Sequence, residues 1–155
     1  MKLRSVLEAL DRHMLKILVA WYVTAEIAGS LVGSSLSKDV WEFIFSLPFL
    51  IATMTRSICV GRGWIVNEKY EPRTCSSPKL FAMLIMKTVV FVATLFGILI
   101  LDAYAYLVTR SIVVHVLCCI LYGVVVALLV NEISIVATKI IIGVAKISKV
   151  MSNRK

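Results

Sequence analysis

Hydrophobic residues fall in four blocks separated by short polar stretches, at residues 15–36, 40–60, 80–101 and 111–130. Each block is close to the roughly 20 residues that a helix needs to span the hydrocarbon of a bilayer. Polar and apolar residues do not alternate with the period of two expected of a β-barrel. The pattern therefore predicts an all-α integral membrane protein, with four transmembrane helices in a single membrane domain over residues 1–155.

The polar stretches between the blocks differ in length. Residues 37–39 predict a tight hairpin, and residues 61–79 form the only sizeable polar loop. Residues 102–110 predict a short connection, in which Tyr104 and Tyr106 are suited to a membrane interface. Pro48 predicts a bend in the second span.

Both ends of the chain have amphipathic helical patterns. Near the N-terminus the apolar residues recur at spacings of three and four and predict one helical face: Leu3, Leu7, Leu10, Met14 and Ile17. This segment is either a short surface helix or the polar start of the first span.

The C-terminal tail, residues 131–151, is also helical in pattern. Glu132, Lys139 and Lys146 lie seven residues apart on one face, with Lys149 beside it. The tail either lies in the membrane interface, with its lysines toward lipid phosphates, or extends the fourth span. The sequence does not distinguish these two placements of the tail.

Composition and charge agree with a membrane protein. The chain is 60% hydrophobic and has a net charge of +8, with a mean hydropathy of +0.94. With four spans, 15 of the 17 lysines and arginines fall on one side, and only Lys38 and Arg110 fall on the other. The positive-inside rule then predicts that both termini are cytoplasmic. Anionic lipid at that face accounts for the basic balance, and no nucleic-acid-binding module is present.

The first span carries a carboxylate close to its middle, Glu26, next to a row of small residues. Ala25, Gly29 and Gly33 lie four residues apart, a spacing that lets helices approach closely in a membrane. The row predicts a helix-packing face that brings subunits together as a homo-oligomer.

Glu26 needs a partner of opposite charge. At about 1.5 Å per residue, Glu26 lies about 13 Å and Lys87 about 10 Å from the cytoplasmic ends of their spans. An isolated charge at the centre of a span costs about 2.5–3.5 kcal/mol, which favours a Glu26–Lys87 pair within or between subunits. Arg56 is expected to reach the membrane surface. With Glu132, these residues are the candidate pore-lining charges, and the alternative is a purely structural ion pair.

The sequence does not indicate enzyme chemistry. His115 is a lone histidine in the fourth span, typical of a hydrogen-bonded packing residue, and the four cysteines read as small apolar residues. No nucleophile with its base and no metal-ligand spacing occurs. We therefore expect no catalytic residue, metal or cofactor.

The second half of the chain, residues 74–138, resembles the phage holin family, the small multi-span lysis proteins of bacteriophages. The segment "CSSPKLFAMLIMKTVVFVATLFGILILDAYAY" has a Ser-Ser pair, a basic residue and a long span that ends at Asp102. The segment "LLVNEISIVATK" resembles the family's NE-x-x-S-I signature, with one residue between Asn131-Glu132 and Ser134-Ile135 where the signature has two. The resemblance implies subunits that accumulate in the bacterial inner membrane and oligomerise into lesions that cause lysis.

Two other functions fit the same pattern. One is a small gated channel or membrane effector. The other is a non-conducting membrane anchor that binds a soluble partner through the cytoplasmic loop or the basic tail.

Overall fold

The computed structural model describes residues 2–32, 37–64 and 78–152, and these residues are helical with no strand. The four α-helices are α1 (Lys2–Val32), α2 (Lys38–Gly61), α3 (Pro78–Tyr104) and α4 (Ile112–Ser152). Each contains a segment long and apolar enough to cross a membrane: Leu3–Leu31, Lys38–Gly61, Ile85–Tyr104 and Ile112–Lys149. The predicted all-α fold with four candidate spans is confirmed.

The helices extend beyond the predicted spans. The amphipathic N-terminal segment is continuous with the first span in α1, so it is the polar start of that helix. The tail likewise continues the fourth span, and the 41 residues of α4 make a helix of roughly 60 Å, about twice the hydrocarbon thickness.

The predicted outer connection is mostly helical. A five-residue π-helix, Ala105–Thr109, follows α3 directly. The chain then turns at Arg110, whose φ of 47° is left-handed and whose N–H donates to the Ala105 carbonyl at 3.0 Å. The connection predicted at residues 102–110 is thus short, but most of it is helical, because apolar residues continue through this stretch and support further helical turns.

Helices α1, α2 and α4 pack on one another, whereas α3 packs chiefly on α4. The buried core consists of Met14, Leu18, Tyr22, Ala52 and Ala127. The apolar face of α1 therefore continues from Met14 to Leu18 and Tyr22, while Ile17 remains 40% exposed. α3 is a peripheral helix on the side of a three-helix core.

Gly123 allows the backbones of α1 and α4 to touch. A Cβ at this position would lie 2.8 Å from both the Cα and the N of Val23, and 3.0 Å from the carbonyl carbon of Tyr22. Cβ atoms essentially never approach backbone this closely, so α4 needs a glycine here. In a bilayer such close contacts replace the hydrophobic effect as a source of helix association.

The bend-forming Pro48 explains a hydrogen bond between α1 and α2. Proline has no N–H, so the carbonyl four residues earlier, at Ile44, loses its helical partner. The indole Nε1 of Trp21 donates to that carbonyl at 3.0 Å. Next to it, the hydroxyl of Tyr22 donates to the Phe45 carbonyl at 2.7 Å. Backbone groups in hydrocarbon must be satisfied within the protein, and α1 supplies the missing donor.

Candidate functional site

A cavity of ≈ 490 Å³ lies at the end of the bundle next to the α1–α2 connection and the π-helix, and we call it the acidic cavity. All four helices line it. Its lining residues are Ala25, Glu26, Gly29, Ser30, Trp41, Phe45, Ile98, Leu99, Asp102, His115, Cys118, Cys119 and Tyr122. Because α3 contacts chiefly α4, the cavity is bounded loosely on the side between α3 and α2.

A hydrogen-bonded group of three side chains crosses the acidic cavity from α3 to α4. Nδ1 of His115 lies 2.8 Å from Oδ1 of Asp102, and Nε2 lies 3.8 Å from Sγ of Cys119. A neutral imidazole with its proton on Nδ1 donates to the carboxylate and accepts from the thiol. The hydrogen bond of His115 agrees with the packing role predicted for it.

The hydrogen-bond partners of His115 were not predicted from the sequence. A signal was present, because His115 and Cys119 lie four residues apart on one face of α4. Asp102 precedes them across a short connection that folds α3 back on α4. The three residues therefore meet through the hairpin formed by these two helices.

Glu26 and Lys87 do not meet within the chain, which corrects the predicted pair. Glu26 lines the acidic cavity with Ile98 and Asp102 of α3, eleven and fifteen residues beyond Lys87. Eleven residues correspond to about 17 Å along the helix. The predicted equal depth failed because the first apolar residue of each block is not a common reference level once the helices extend beyond the blocks.

Lys87 instead lies with Glu132 between α3 and α4. Both residues line two smaller cavities, of ≈ 360 Å³ and ≈ 110 Å³. Phe91 of α3 also lines both. The structure thus places Lys87 beside Glu132, on the helix that α3 packs against, and the Glu26–Lys87 pair between subunits stays a prediction.

Arg56 is buried, with 4% of its surface exposed, so the expectation that it reaches the membrane surface was wrong. Its Nε donates to Oδ1 of Asp11 on α1 at 3.2 Å. Its Nη2 donates to Oδ1 of Asn131 on α4 at 2.6 Å, and its Nη1 donates to the carbonyl of Asn131 and to the hydroxyl of Ser134. The guanidinium therefore connects all three helices of the core.

The hydrogen bonds around Arg56 continue along α4. The Ser134 hydroxyl donates to the Asn131 carbonyl, and the Thr138 hydroxyl donates to the Ser134 carbonyl, both at 2.8 Å. Asn131, Ser134 and Thr138 are buried, at spacings of three and four residues. Asn131 and Ser134 of the segment that resembles the holin signature thus bind Arg56, while Glu132 lies toward α3.

The small residues predicted for self-association pack within the chain. Ala25 is buried, and a Cβ at Gly29 would lie 2.7 Å from the ring of Trp41 on α2. Trp41 of α2 thus packs against Gly29 within the chain, and the intersubunit role of the small residues stays a prediction. Gly33 lies outside the described residues, as do the Ser-Ser pair and most of the 61–79 loop.

The basic tail residues lie away from the buried face of α4. Lys139 is half-buried, and Lys146 and Lys149 are exposed. This placement leaves them accessible, and their contact with lipid stays a prediction. In the described part of the chain, no group of three or more His, Cys, Asp or Glu side chains could hold a metal ion.

The fold and the site define a multi-pass membrane protein with buried polar groups between its helices. Comparison of the chain with protein-family models, curated proteins and solved structures gives no match.

Proposed function

We propose that the protein is a homo-oligomeric membrane-permeabilising protein of the bacterial inner membrane, similar in action to phage holins, with both termini in the cytoplasm. The supporting observation is a row of ionisable side chains along α3 and α4 that remain accessible in the single chain. Such a row suits a surface that faces water in an assembly of subunits.

The row contains ionisable side chains near both ends of the apolar segment of α3, Ile85–Tyr104. Lys87 is exposed near the start of the apolar segment of this helix. The side chains of Asp102 and His115 are 28% and 35% exposed to solvent. Phe91 and Ile98 separate the two ends at helical spacing, and both line cavities on the same side of α3. In a single subunit embedded in a bilayer, this surface would face lipid.

Contact with lipid would be costly for this surface. A charged side chain in the middle of a span costs about 2.5–3.5 kcal/mol on insertion scales. Self-association that encloses water lowers this cost, because the ionisable groups then face an aqueous passage. The peripheral α3 supports such a rearrangement, since it can move on α4 without unpacking the three-helix core.

The proposed membrane and orientation rest on two features of the sequence. The basic asymmetry supports cytoplasmic termini, and the resemblance to holins supports the bacterial inner membrane. The Asn131–Ile135 segment, which is part of that resemblance, lies where α4 binds Arg56. We propose that this hydrogen-bonded core holds the subunit together while α3 rearranges.

The test is inducible expression in bacteria with two measurements, membrane potential by a potential-sensitive dye and release of a cytoplasmic enzyme. We expect both loss of potential and release of enzyme. At equal membrane level, Lys87→Met should slow both, because the proposed water-facing surface loses a charge. The matched control is Lys38→Met, at a side chain that is 87% exposed next to the α1–α2 connection, which should behave like the wild type.

The two readouts also separate the alternatives. Full membrane expression with intact potential and no release would overturn the proposal. If in addition a soluble protein co-purifies, the anchor function would replace it. An ion-selective conductance without enzyme release would support a small gated channel instead.

A further inference from the structure

The acidic cavity combines carboxylates with aromatic walls. Glu26 enters from α1 and Asp102 from α3. The carboxylate of Asp102 is hydrogen-bonded to His115, whereas among the described residues no ion pair includes Glu26. None of the described residues that line the cavity is a lysine or an arginine. The electrostatic character of the cavity therefore favours a positively charged occupant.

Three aromatic residues form part of the wall: Trp41 and Phe45 of α2 and Tyr122 of α4. The ring centroids of Trp41 and Phe45 are 6.0 Å apart, and those of Phe45 and Tyr22 are 5.6 Å apart. Aromatic faces attract cations through the quadrupole of the ring, and several rings around one carboxylate are typical of sites for organic ammonium groups.

The size and depth of the cavity restrict the kind of cation. Its ≈ 490 Å³ lies within the range of small-molecule sites, roughly 300–1,000 Å³. Ile98 and Leu99 provide an apolar wall. A small inorganic ion would lose its hydration shell without gaining a full ligand set, since the described side chains form no metal-binding group. A cation with apolar substituents loses little hydration and can contact the apolar wall.

We propose that the acidic cavity binds an amphipathic organic cation, a protonated amine or a quaternary onium group with apolar substituents. Glu26 supplies the countercharge, and Trp41 and Phe45 contact the onium group and its substituents. The loosely bounded side between α3 and α2 provides the route of entry. The cavity shares Ile98, Asp102 and His115 with the proposed water-facing surface, but the binding needs no assembly of subunits and holds in the isolated protein.

The test is isothermal titration calorimetry on the purified full-length protein in detergent, with tetraphenylphosphonium as the probe. We expect saturable binding that weakens by about tenfold or more in Glu26→Gln, an almost isosteric change that removes the countercharge. Trp41→Leu should weaken binding as well. The matched control is Glu132→Gln, which removes a carboxylate from the cavities between α3 and α4 and should leave the affinity within about twofold.

Triphenylphosphine oxide, which keeps three aryl groups but is neutral, should bind much more weakly than the cation. Equal affinities for the two probes would overturn the proposal, because the cavity would then be only an apolar pocket. Equal affinity of the wild type and Glu26→Gln, or absence of saturable binding to a folded wild type, would overturn it too. Unfolding temperature checks that each variant is folded, and Asp102→Asn serves as the second carboxylate variant if Glu26→Gln does not fold.

Discussion

Arg56 on α2 donates a hydrogen bond to the side-chain oxygen of Asn131 on α4 at 2.6 Å, in the interior of the three-helix core. The same guanidinium pairs with Asp11 on α1. One buried side chain therefore fixes the relative positions of three helices. Its planar array of five N–H donors explains why a single residue can do so.

Arg56→Met should destabilise the protein by about 3–5 kcal/mol, because Asp11 and the buried Asn131 would lose their bonds to the guanidinium. Arg56→Lys should recover little, since an ammonium group cannot reproduce the forked geometry. The measurement is thermal unfolding in detergent. The double variant Asp11→Asn with Arg56→Met should be more stable than Arg56→Met alone.

A matched control for the buried pair is Lys38→Met. The ion pair of Lys38 with Glu42 is 3.5 Å long and largely exposed, so its loss should cost less than about 1 kcal/mol. Similar losses for Arg56→Met and Lys38→Met would contradict the structural role assigned to Arg56.

Trp21 and Pro48 should be energetically coupled. Trp21→Phe removes the donor to the Ile44 carbonyl and should cost about 1–3 kcal/mol. Pro48→Ala restores a backbone N–H that can bond to the same carbonyl, so Trp21→Phe should cost less in that background. A double-mutant cycle on thermal stability measures the difference. Additive effects would show that the indole N–H does not compensate for the proline.

The close contact between α1 and α4 predicts that two glycines of α4 respond differently to substitution by alanine. Gly123→Ala should lower the unfolding temperature sharply or prevent folding, because the new methyl group would meet the backbone at Val23. Gly143 has no atom within 4 Å of an added Cβ. Gly143→Ala should be neutral or stabilise by up to about 1 kcal/mol through helix propensity. Equal behaviour of the two variants would refute the close approach.

Lys87 should be coupled to Glu132 and not to Glu26. Lys87→Met and Glu132→Gln change residues that line the same two cavities, and their effects on stability should differ from additivity by at least about 0.5 kcal/mol. Lys87→Met and Glu26→Gln should be additive, since these residues lie in different cavities. Coupling of Lys87 to Glu26 in membranes would instead support the pair between subunits.

The orientation in the membrane is open to a direct test. Because 15 of the 17 basic residues lie on one side of the four predicted spans, both termini should be cytoplasmic. A reporter that is active only in the periplasm should be inactive when fused after Lys155 and active when inserted near Lys38. Activity of the Lys155 fusion would exclude this topology.

Local patterns were sufficient to predict the four helices. Length and apolar content decide whether a segment is helical in a membrane, and both can be read along the chain. The helical character of both ends was also predictable. The sequence did not show that a π-helix continues α3 at residues 105–109, since one additional turn at the end of a helix costs little.

Contacts between helices depended on the tertiary structure. The sequence by itself determined that Glu26, Arg56 and Lys87 lie within or beside apolar segments. It did not determine which groups they meet, because that depends on the rotation and axial offset of each helix. A relative shift of a few residues moves a side chain by several ångströms, more than the length of a hydrogen bond. The close approach at Gly123 limits the offset of α1 against α4, whereas the meeting of Lys87 with Glu132 depends on how α3 packs on α4.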